Sequence, residues 1–383
     1  MKRCISMAAA LVLLLFLLPA EAWAVELPVE SRAAVLMERD TGRVLYAKNE
    51  HEKLEPASVT KVMTLLLTME AIDSGALRYD DVVTASDYAS SMGGSQIFLK
   101  AGEQMTVEDL LKGVCVASGN DASVALAEHL AGVTELFVDR MNNRARELGM
   151  NDTHFVNCNG LPAEGHVTSA YDIALMSREL ILHHPDILRF TSIWMDTLRD
   201  GAFQLSNTNK LIRFYDGATG LKTGSTDSAG YCVSATAERD GMTLIAVTLK
   251  ADTSAQRFED AKTLLNYGFS TFALLDAGEG VTLSPVAVEL GTADAVEPVI
   301  SEADRRPLVE RSLVAGAERT VELAESVEAP VEAGQQLGQI TVTSGGDVLA
   351  TVPILAGQSV PRLTWGEMFL RLLRSAVTGR ASN

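Results

Sequence analysis

Cysteine and metal-ligand motifs are scarce in this chain of 383 residues, and both shortages restrict its chemistry. Of the four cysteines, Cys4 precedes an N-terminal apolar run, which leaves Cys115, Cys158 and Cys232, an odd number without close paired spacing. This pattern indicates neither a disulfide framework nor a metal set, so we predict buried free thiols. The six histidines are scattered, without a His-x-x-x-His or Cys-x-x-Cys pair. We therefore expect no metal and no cofactor.

Positive charge is also in short supply. Lysine and arginine total 32 against 50 aspartates and glutamates, which gives a formal net charge of −18. Nucleic-acid binding depends on positive side chains that neutralise phosphates, so this balance argues against a nucleic-acid partner. The chain also has no Gly-x-Ser-x-Gly motif, the strand-to-helix turn that would host a Ser/His/Asp triad.

The N-terminal residues 1–24 have the layout of a cleaved secretory signal. Two basic residues at positions 2 and 3 precede an apolar run over residues 8–18, which is short for a membrane span. A proline and the small-residue site at 22–24 follow. An uncleaved anchor helix is the alternative. Cleavage removes two positive charges and one negative charge, which takes the net charge from −18 to −19.

Residues 25–274 have the pattern of one α/β domain. Apolar and polar residues alternate over 31–49 on both sides of Asp40-Thr41-Gly42, which predicts a β-hairpin. Helical periodicity fills much of the following stretch, and period-two runs after Gly220 predict further strands. Strands at both ends with helices between them predict that the N-terminal hairpin joins the C-terminal sheet.

Two segments of different composition follow. We predict a separate acidic β-domain over residues 275–361, because the stretch 272–360 contains 14 acidic residues against four arginines and no lysine. Residues 362–383 predict an amphipathic helix with a tryptophan and a basic polar face, typical of an interfacial membrane anchor. A helix that docks on its own domain or on a partner is the alternative.

A serine and a lysine begin the most apolar helix of the chain. The run from Val59 to Ile72 is apolar on nearly every side, which predicts a buried helix. Ser58 and Lys61 are three residues apart and therefore neighbours on a helix. Burial lowers the pKa of a lysine and favours a neutral amine that takes a proton from a hydroxyl. We therefore predict a Ser58 nucleophile and a Lys61 base, although a lone Ser-x-x-Lys recurs by chance on exposed helices.

Two further motifs in a fixed order strengthen this prediction. Ser118-Gly119-Asn120 falls at a predicted helix–helix turn, and Lys222-Thr223-Gly224 begins a predicted strand. With all three motifs, the chain resembles the low-molecular-mass penicillin-binding proteins of the penicillin-binding protein 5 type, which are S11-like serine D-alanyl-D-alanine carboxypeptidases of the β-lactamase-like superfamily.

The resemblance extends over most of the chain after the signal. It includes residues 95–99, 153–162 and 168–172, and also the acidic β-domain and the amphipathic tail. It implies a β-lactamase/transpeptidase-like α/β (α+β) domain with an antiparallel sheet flanked by helices. A small all-β C-terminal domain and an amphipathic C-terminal helix complete the expected fold.

The resemblance also implies a role for each motif residue. Ser58 would attack the terminal D-Ala-D-Ala peptide bond and form an acyl-enzyme, while Lys61 accepts its proton. Ser118 would pass a proton to the departing D-Ala, and Lys222 would keep the local field positive. Asn120 would hold the peptide amide of the substrate.

Substrate binding falls to residues of the third motif and to one arginine. The backbone N–H groups of Ser58 and Ser225 would form the oxyanion hole. Thr223, Gly224 and Ser225 would lie beside the substrate, with the two hydroxyls available to its terminal carboxylate. Arg257 is the candidate cation for that carboxylate. An ordinary arginine at a helix start is the alternative.

Glu164 and His166 lie in the loop where class A β-lactamases carry a deacylating glutamate. The surrounding pattern differs from theirs, so we expect Glu164 to be a solvated loop acid, and a surface position for His166 is an equal alternative to a functional one. Deacylation of a bound β-lactam should then be slow. Penicillin should inhibit the protein more than the protein destroys penicillin.

The expected function is removal of the last D-Ala from peptidoglycan pentapeptide stems by an exported bacterial enzyme. Its expected partners are this substrate, β-lactams as inhibitors, and the outer face of the cytoplasmic membrane through the C-terminal helix. A β-lactamase is the alternative enzyme. A non-catalytic β-lactam sensor or cell-wall binding module is the alternative from another class of protein.

Overall fold

The computed structural model describes residues 26–378. The predicted secretory signal, residues 1–24, lies outside the described residues, as do Cys4 and residues 379–383 of the predicted C-terminal helix. Of the helices in the described range, none has the length and apolar character needed to cross a membrane.

An antiparallel sheet forms the centre of the first domain. The strands up to residue 251 are β1 (Ala33–Glu38), β2 (Val44–Lys48), β3 (Val82–Thr84), β4 (Gln104–Thr106), β5 (Met195–Leu198), β6 (Phe203–Ser206), β7 (Ala218–Thr226), β8 (Gly230–Arg239) and β9 (Met242–Ala251). The sheet has the order β2-β1-β9-β8-β7, and each pair of adjacent strands is antiparallel. The N-terminal hairpin therefore joins the C-terminal strands, as predicted.

Helices lie on both faces of this sheet. They are α1 (Lys61–Asp73), α2 (Asp87–Ser90), α3 (Val107–Cys115), α4 (Asn120–Ala131), α5 (Thr134–Glu147), α6 (Ala170–His183), α7 (Leu188–Thr191), α8 (Leu211–Phe214) and α9 (Ser254–Thr271), with 3-10 turns at Ala57–Thr60 and Pro185–Ile187. The start of α6 is capped, because the Ser169 side chain accepts from the Asp172 backbone N–H.

Alternate residues of the central strand β9 enter two separate cores. Ile245 and Val247 pack with α1 and α6 on one face, whereas Leu244 and Ala246 pack with α9 on the other. Successive side chains of a strand point to opposite faces, so a strand covered on both sides must be apolar at nearly every position. The continuous apolar run of β9 meets this requirement.

The helix predicted from Val59 starts differently from expectation. Residues Ala57–Thr60 form a 3-10 turn, and α1 begins only at Lys61. Ala57 has a φ of +48°, a conformation that a residue with a side chain seldom adopts. Ser58 therefore lies on a tight, strained turn at the mouth of the helix rather than on a regular helical face.

A second domain with its own cores follows the sheet. Its strands are β10 (Phe272–Leu274), β11 (Val286–Glu289), β12 (Ala295–Val296), β13 (Pro298–Ile300), β14 (Leu308–Glu310), β15 (Ala317–Leu323), β16 (Ser326–Glu328), β17 (Gln336–Ser344) and β18 (Asp347–Ala356), with a short helix α10 (Arg311–Val314). Two small sheets, β12-β11-β16 and β13-β18-β17-β15, cover separate apolar clusters. The exact boundary at residue 274 stays a prediction.

The last helix, α11 (Trp365–Thr378), leaves the β-domain with a capped start. The Thr364 N–H donates to the Glu367 carboxylate at 2.8 Å, in the manner of a capping box. The Arg371 guanidinium forms an ion pair with Asp294 and donates to the Gly291 carbonyl at 3.1 Å. Arg371 thus joins the helix to the β-domain.

Candidate active site

The Ser58 turn and the start of α1 place the predicted nucleophile beside the predicted base. Nζ of Lys61 lies 2.9 Å from Oγ of Ser58. Ser58 is half-buried, whereas Lys61 is completely buried. The spacing of three residues therefore does bring the two side chains together, although the backbone between them is a 3-10 turn.

Two carbonyl oxygens complete the surroundings of the Lys61 amine. Nζ lies 2.6 Å from Oδ1 of Asn120 and 2.6 Å from the backbone oxygen of Asn159. Carbonyl oxygens only accept hydrogen bonds, so a neutral amine directs its two N–H groups to them. Its lone pair then faces the remaining neighbour, the Ser58 hydroxyl. This arrangement suits an amine that takes a proton from that hydroxyl.

Burial sets the protonation of both lysines in the site. It lowers the pKa of Lys61 well below the usual 10.5, and the charge of Lys222 lowers this pKa further. Burial also lowers the pKa of Lys222 to about 7, with a smaller contribution from the charge of Arg257. A positive charge on Lys222 therefore disfavours protonation of Lys61 and favours the neutral amine that a base requires.

Two glycines hold the Ser58 turn from opposite sides. A Cβ on Gly160 would lie 1.9 Å from the Ala57 oxygen and 2.9 Å from the Ser58 nitrogen. A Cβ on Gly224 would lie 2.8 Å from the same nitrogen. Neither space admits a side chain. This close contact between backbones fixes the position of the Ser58 N–H relative to β7.

The second motif lies at the start of α4, where Asn120 contacts the Lys61 amine. Ser118 has a φ of +64° and is buried, and no protein partner within the described residues hydrogen-bonds its Oγ. The amide of Asn120 accepts from Lys61 through Oδ1 and donates to the Gly93 carbonyl at 2.7 Å. Both ends of this amide therefore have protein partners, and its contact with substrate stays a prediction.

The third motif lies on the edge strand β7, against the Ser58 turn. Nζ of the buried Lys222 donates to the Thr223 carbonyl at 2.8 Å. The Thr223 hydroxyl donates to Oγ1 of Thr208 at 2.7 Å, while Ser225 is exposed. The strand thus carries a buried amine and an exposed hydroxyl on either side of Gly224, the residue that contacts the Ser58 turn.

Arg257 is largely buried beside β7 and β8. It is 7% exposed, and its NH1 donates to the carbonyls of Gly224 at 3.0 Å and Cys232 at 3.3 Å. Burial lowers its pKa to about 10, which leaves it charged at neutral pH. The guanidinium therefore braces the strand that carries the third motif. Its contact with a substrate carboxylate stays a prediction.

Several residues around the site went unassigned in the sequence. The sequence predicted only a loop around Asn159 and Gly160. Their contacts with the start of α1 and the Ser58 turn join segments about a hundred residues apart, which local patterns do not predict. His166 is 3% exposed, so its interpretation as a surface residue is wrong. Glu164, two residues earlier, is exposed, as predicted.

The three remaining cysteines are buried free thiols, as predicted. Burial raises the pKa of Cys115 and Cys158 to about 12 and that of Cys232 to about 11, so all three stay protonated. Across residues 26–378, no group of three or more histidine, cysteine, aspartate or glutamate side chains is arranged to hold a metal ion.

Comparison with known proteins assigns the site to a family. The S11 peptidase family, described as D-alanyl-D-alanine carboxypeptidase, matches residues 20–253. The chain belongs to this family. The C-terminal domain of penicillin-binding protein 5 matches residues 269–362. The predicted fold and the predicted activity of a serine D-alanyl-D-alanine carboxypeptidase are thereby confirmed.

Relatives of this carboxypeptidase span nearly the whole chain. D-alanyl-D-alanine carboxypeptidase DacF of Bacillus subtilis is 43% identical over 343 residues, which cover 88% of this chain and 87% of the relative. The crystal structure of penicillin-binding protein 5 from Haemophilus influenzae is 30% identical, with a TM-score of 0.74, and covers 87% of this chain and 98% of that one. Penicillin-binding protein D2 from Listeria monocytogenes in its ampicillin-bound form is 35% identical, with a TM-score of 0.59. The match covers 64% of this chain and 99% of that one.

Replacing Gly160 with alanine should disable the site. The new Cβ would overlap the Ala57 carbonyl and displace the Ser58 turn, and a displacement of about 1 Å costs on the order of 100-fold in rate. The measurement is the rate of Ser58 acylation by labelled penicillin.

Gly165→Ala is the matched control for this substitution. Gly165 lies in the same loop with a φ of +79°, but an added Cβ there would meet no atom within 4 Å. It carries the same backbone strain without the overlap. Equal losses in both variants would show that strain in the loop, and not the contact with Ala57, controls acylation.

Replacing Lys222 with glutamine should move the pH profile of acylation. The charge of Lys222 lowers the pKa of Lys61. Removing this charge raises the pKa of Lys61, so the neutral amine forms only at higher pH. The ascending limb of acylation rate against pH should shift to higher pH. Lys100→Gln removes the same charge at an exposed site and should leave the limb in place. A limb unchanged by Lys222→Gln would contradict the coupling.

Proposed function

We propose that Ser58 is the nucleophile of this carboxypeptidase and Lys61 its base. The observation that carries the proposal is the Lys61 amine, whose two short contacts to carbonyl oxygens leave its lone pair facing Ser58. Oγ of Ser58 forms a bond to the carbonyl carbon of the terminal D-Ala-D-Ala peptide bond, and its proton moves to Nζ. The collapse of the tetrahedral intermediate breaks the C–N bond and leaves an acyl-enzyme.

The departing D-Ala needs a proton, and in this proposal Ser118 relays it. Its buried Oγ has no protein partner among the described residues, which supports a role in hydrogen bonding to a group that enters the site. The proton taken by Lys61 returns through Ser118 to the D-Ala nitrogen. Lys222 stabilises negative charge in the tetrahedral intermediate. Water then hydrolyses the ester and releases the shortened peptide.

The oxyanion hole of the proposed reaction consists of the Ser58 and Ser225 backbone N–H groups. The close fit of Gly160 and Gly224 around the Ser58 nitrogen supports this assignment, because oxyanion donors act best when they are fixed in advance. The hydroxyls of Thr223 and Ser225 bind the free carboxylate of the substrate. Arg257 adds positive charge behind the strand.

β-Lactams acylate the same serine in this proposal. The ampicillin-bound form of penicillin-binding protein D2 from Listeria monocytogenes, at 35% identity, supports β-lactam binding. Glu164 is exposed on its loop, which supports slow release of the penicilloyl group rather than efficient β-lactam hydrolysis. Asn120 holds the peptide amide of the substrate only if its amide exchanges its present partners.

The enzyme is proposed to act after export, at the outer face of the cytoplasmic membrane, with α11 as its contact with the lipid. Trp365 is 88% exposed, and Phe369, Leu370 and Leu373 are exposed as well. Arg371 holds the other side of the helix on the β-domain. An apolar face directed away from the protein, on a helix fixed by its polar side, supports the interfacial position.

The carboxypeptidase reaction is tested by D-Ala release from a diacetylated Lys-D-Ala-D-Ala peptide. The wild-type enzyme should release D-Ala, and Ser58→Ala should abolish release while the melting temperature stays the same. Faster turnover of a chromogenic cephalosporin than of the peptide would favour a β-lactamase. Penicillin labelling at Ser58 without any D-Ala release would favour a sensor.

The membrane contact is tested with residues 25–383 and vesicles of anionic phospholipid. Trp365→Ser combined with Phe369→Ser should weaken co-sedimentation at least about 100-fold, since two buried side chains at about 1.5–3 kcal/mol each contribute about 3–6 kcal/mol together. Val348→Ser removes from the β-domain an apolar side chain that is as exposed as Phe369, and it should have no effect. Undiminished binding by the double variant would exclude α11 as the anchor.

A further inference from the structure

A buried histidine and a buried threonine lie behind the Ser58 turn and connect it to the loop before α6. Nδ1 of His166 lies 2.9 Å from the backbone nitrogen of Val156, and Nε2 lies 2.7 Å from Oγ1 of Thr60. Oγ1 of Thr60 lies 2.8 Å from the carbonyl oxygen of Ala57. Thr60 is fully buried, and neither side chain has a role in the reaction described above.

The direction of each hydrogen bond follows from its fixed ends. The Val156 N–H can only donate, so Nδ1 of His166 accepts and the ring proton of the neutral histidine is on Nε2. That N–H donates to Thr60, whose hydroxyl donates in turn to the Ala57 carbonyl. Burial, with a smaller effect from His154, lowers the pKa of His166 to about 4, which keeps the ring neutral at physiological pH.

The chain of hydrogen bonds ends on the peptide group that carries the Ser58 N–H. The Ala57 carbonyl and the Ser58 N–H belong to one amide, in which a bond accepted by the oxygen polarises the N–H. Every bond from Val156 to Ala57 donates toward this amide. Hydrogen bonds in such a chain strengthen one another by about 10–30% per bond.

We propose that Thr60 and His166 are positioning residues that hold and polarise the Ala57–Ser58 peptide, so that its N–H is a stronger donor to the oxyanion. The inference rests on the proposed function, in which this N–H is one of two oxyanion donors. The 3-10 turn would then have two functions, since it places Ser58 near Lys61 and also holds the Ser58 N–H as an oxyanion donor. The strained φ of +48° at Ala57 is held by the same hydrogen bonds.

The chain contains a tether of similar geometry that lacks the connection to the oxyanion hole. Thr64, one turn further along α1, is also fully buried, and its hydroxyl donates to the Cys158 carbonyl at 2.6 Å. It therefore joins α1 to the same loop. Thr64→Val is the matched control for Thr60→Val, because both remove a buried hydroxyl that bonds a backbone carbonyl.

The experiment measures the hydrogen bond in the oxyanion hole directly. Benzylpenicillin labelled with ¹³C at the β-lactam carbonyl forms the ester on Ser58, and infrared difference spectroscopy gives its C=O stretching frequency. Thr60→Val should shift this band to higher wavenumber and lower the acylation rate about 3- to 10-fold. The loss should appear in kcat for D-Ala release rather than in KM. Thr60→Ser retains the hydroxyl and should restore both values.

Histidine variants test the hydrogen bond from His166 to Thr60. The amide of His166→Gln reaches the place of Nε2 and retains a donor to Thr60, whereas His166→Asn reaches only the place of Nδ1. We expect the band shift of Thr60→Val in His166→Asn and a smaller shift in His166→Gln. Combining Thr60→Val with His166→Asn should add nothing to the shift, because both act through one chain. His166→Asn also provides the test if Thr60→Val fails to fold.

Three outcomes overturn the inference. A fall in the acylation rate of Thr60→Val without a band shift would show that the hydrogen bonds only hold the turn in place and do not polarise the Ser58 N–H. An equal band shift in Thr64→Val would assign the effect to loss of any buried hydroxyl on α1. Absence of a penicilloyl ester on wild-type Ser58 would refute the proposed nucleophile and the inference with it, whereas an ester with an unmoved band refutes the inference alone.

Discussion

The burial of one amine next to one hydroxyl constrains the whole catalytic domain. A lysine removed from water must find acceptors for its N–H groups, because an unpaired buried polar group is costly. Lys61 finds them in Asn120 and in the backbone of Asn159. The start of α4 and the loop before α6 must therefore converge on the start of α1. This convergence assembles the site.

Close contact between backbones then fixes the nucleophile. Gly160 and Gly224 approach the Ser58 turn from two elements that are far apart in sequence, and neither leaves room for a side chain. The strained Ala57 persists because the two glycines and Thr60 determine its position. Precision in this site thus comes from packing of main chain on main chain, supported by buried hydroxyls and one neutral histidine.

The sequence predicted the local features well because their causes are local. The spacing of Ser58 and Lys61 and the hairpin around Asp40-Thr41-Gly42 each depend on neighbouring residues. The position of His166 did not follow, because its partners Thr60 and Val156 are not defined by any nearby pattern. Arg257 was recognised as a candidate, yet only the structure shows that it donates to the Gly224 carbonyl of β7.

The order of the three motifs, the acidic β-domain and the amphipathic tail are properties of the sequence by itself, since composition and periodicity encode them. Tertiary structure alone decided which groups surround each motif. The lone pair of Lys61 faces Ser58 because two distant carbonyls take its N–H groups. The Ser58 peptide gains hydrogen-bonded support from Thr60 and His166 because folding brings a loop about a hundred residues away against it. Contacts of this range depend on the packing of the entire domain, which no local pattern contains.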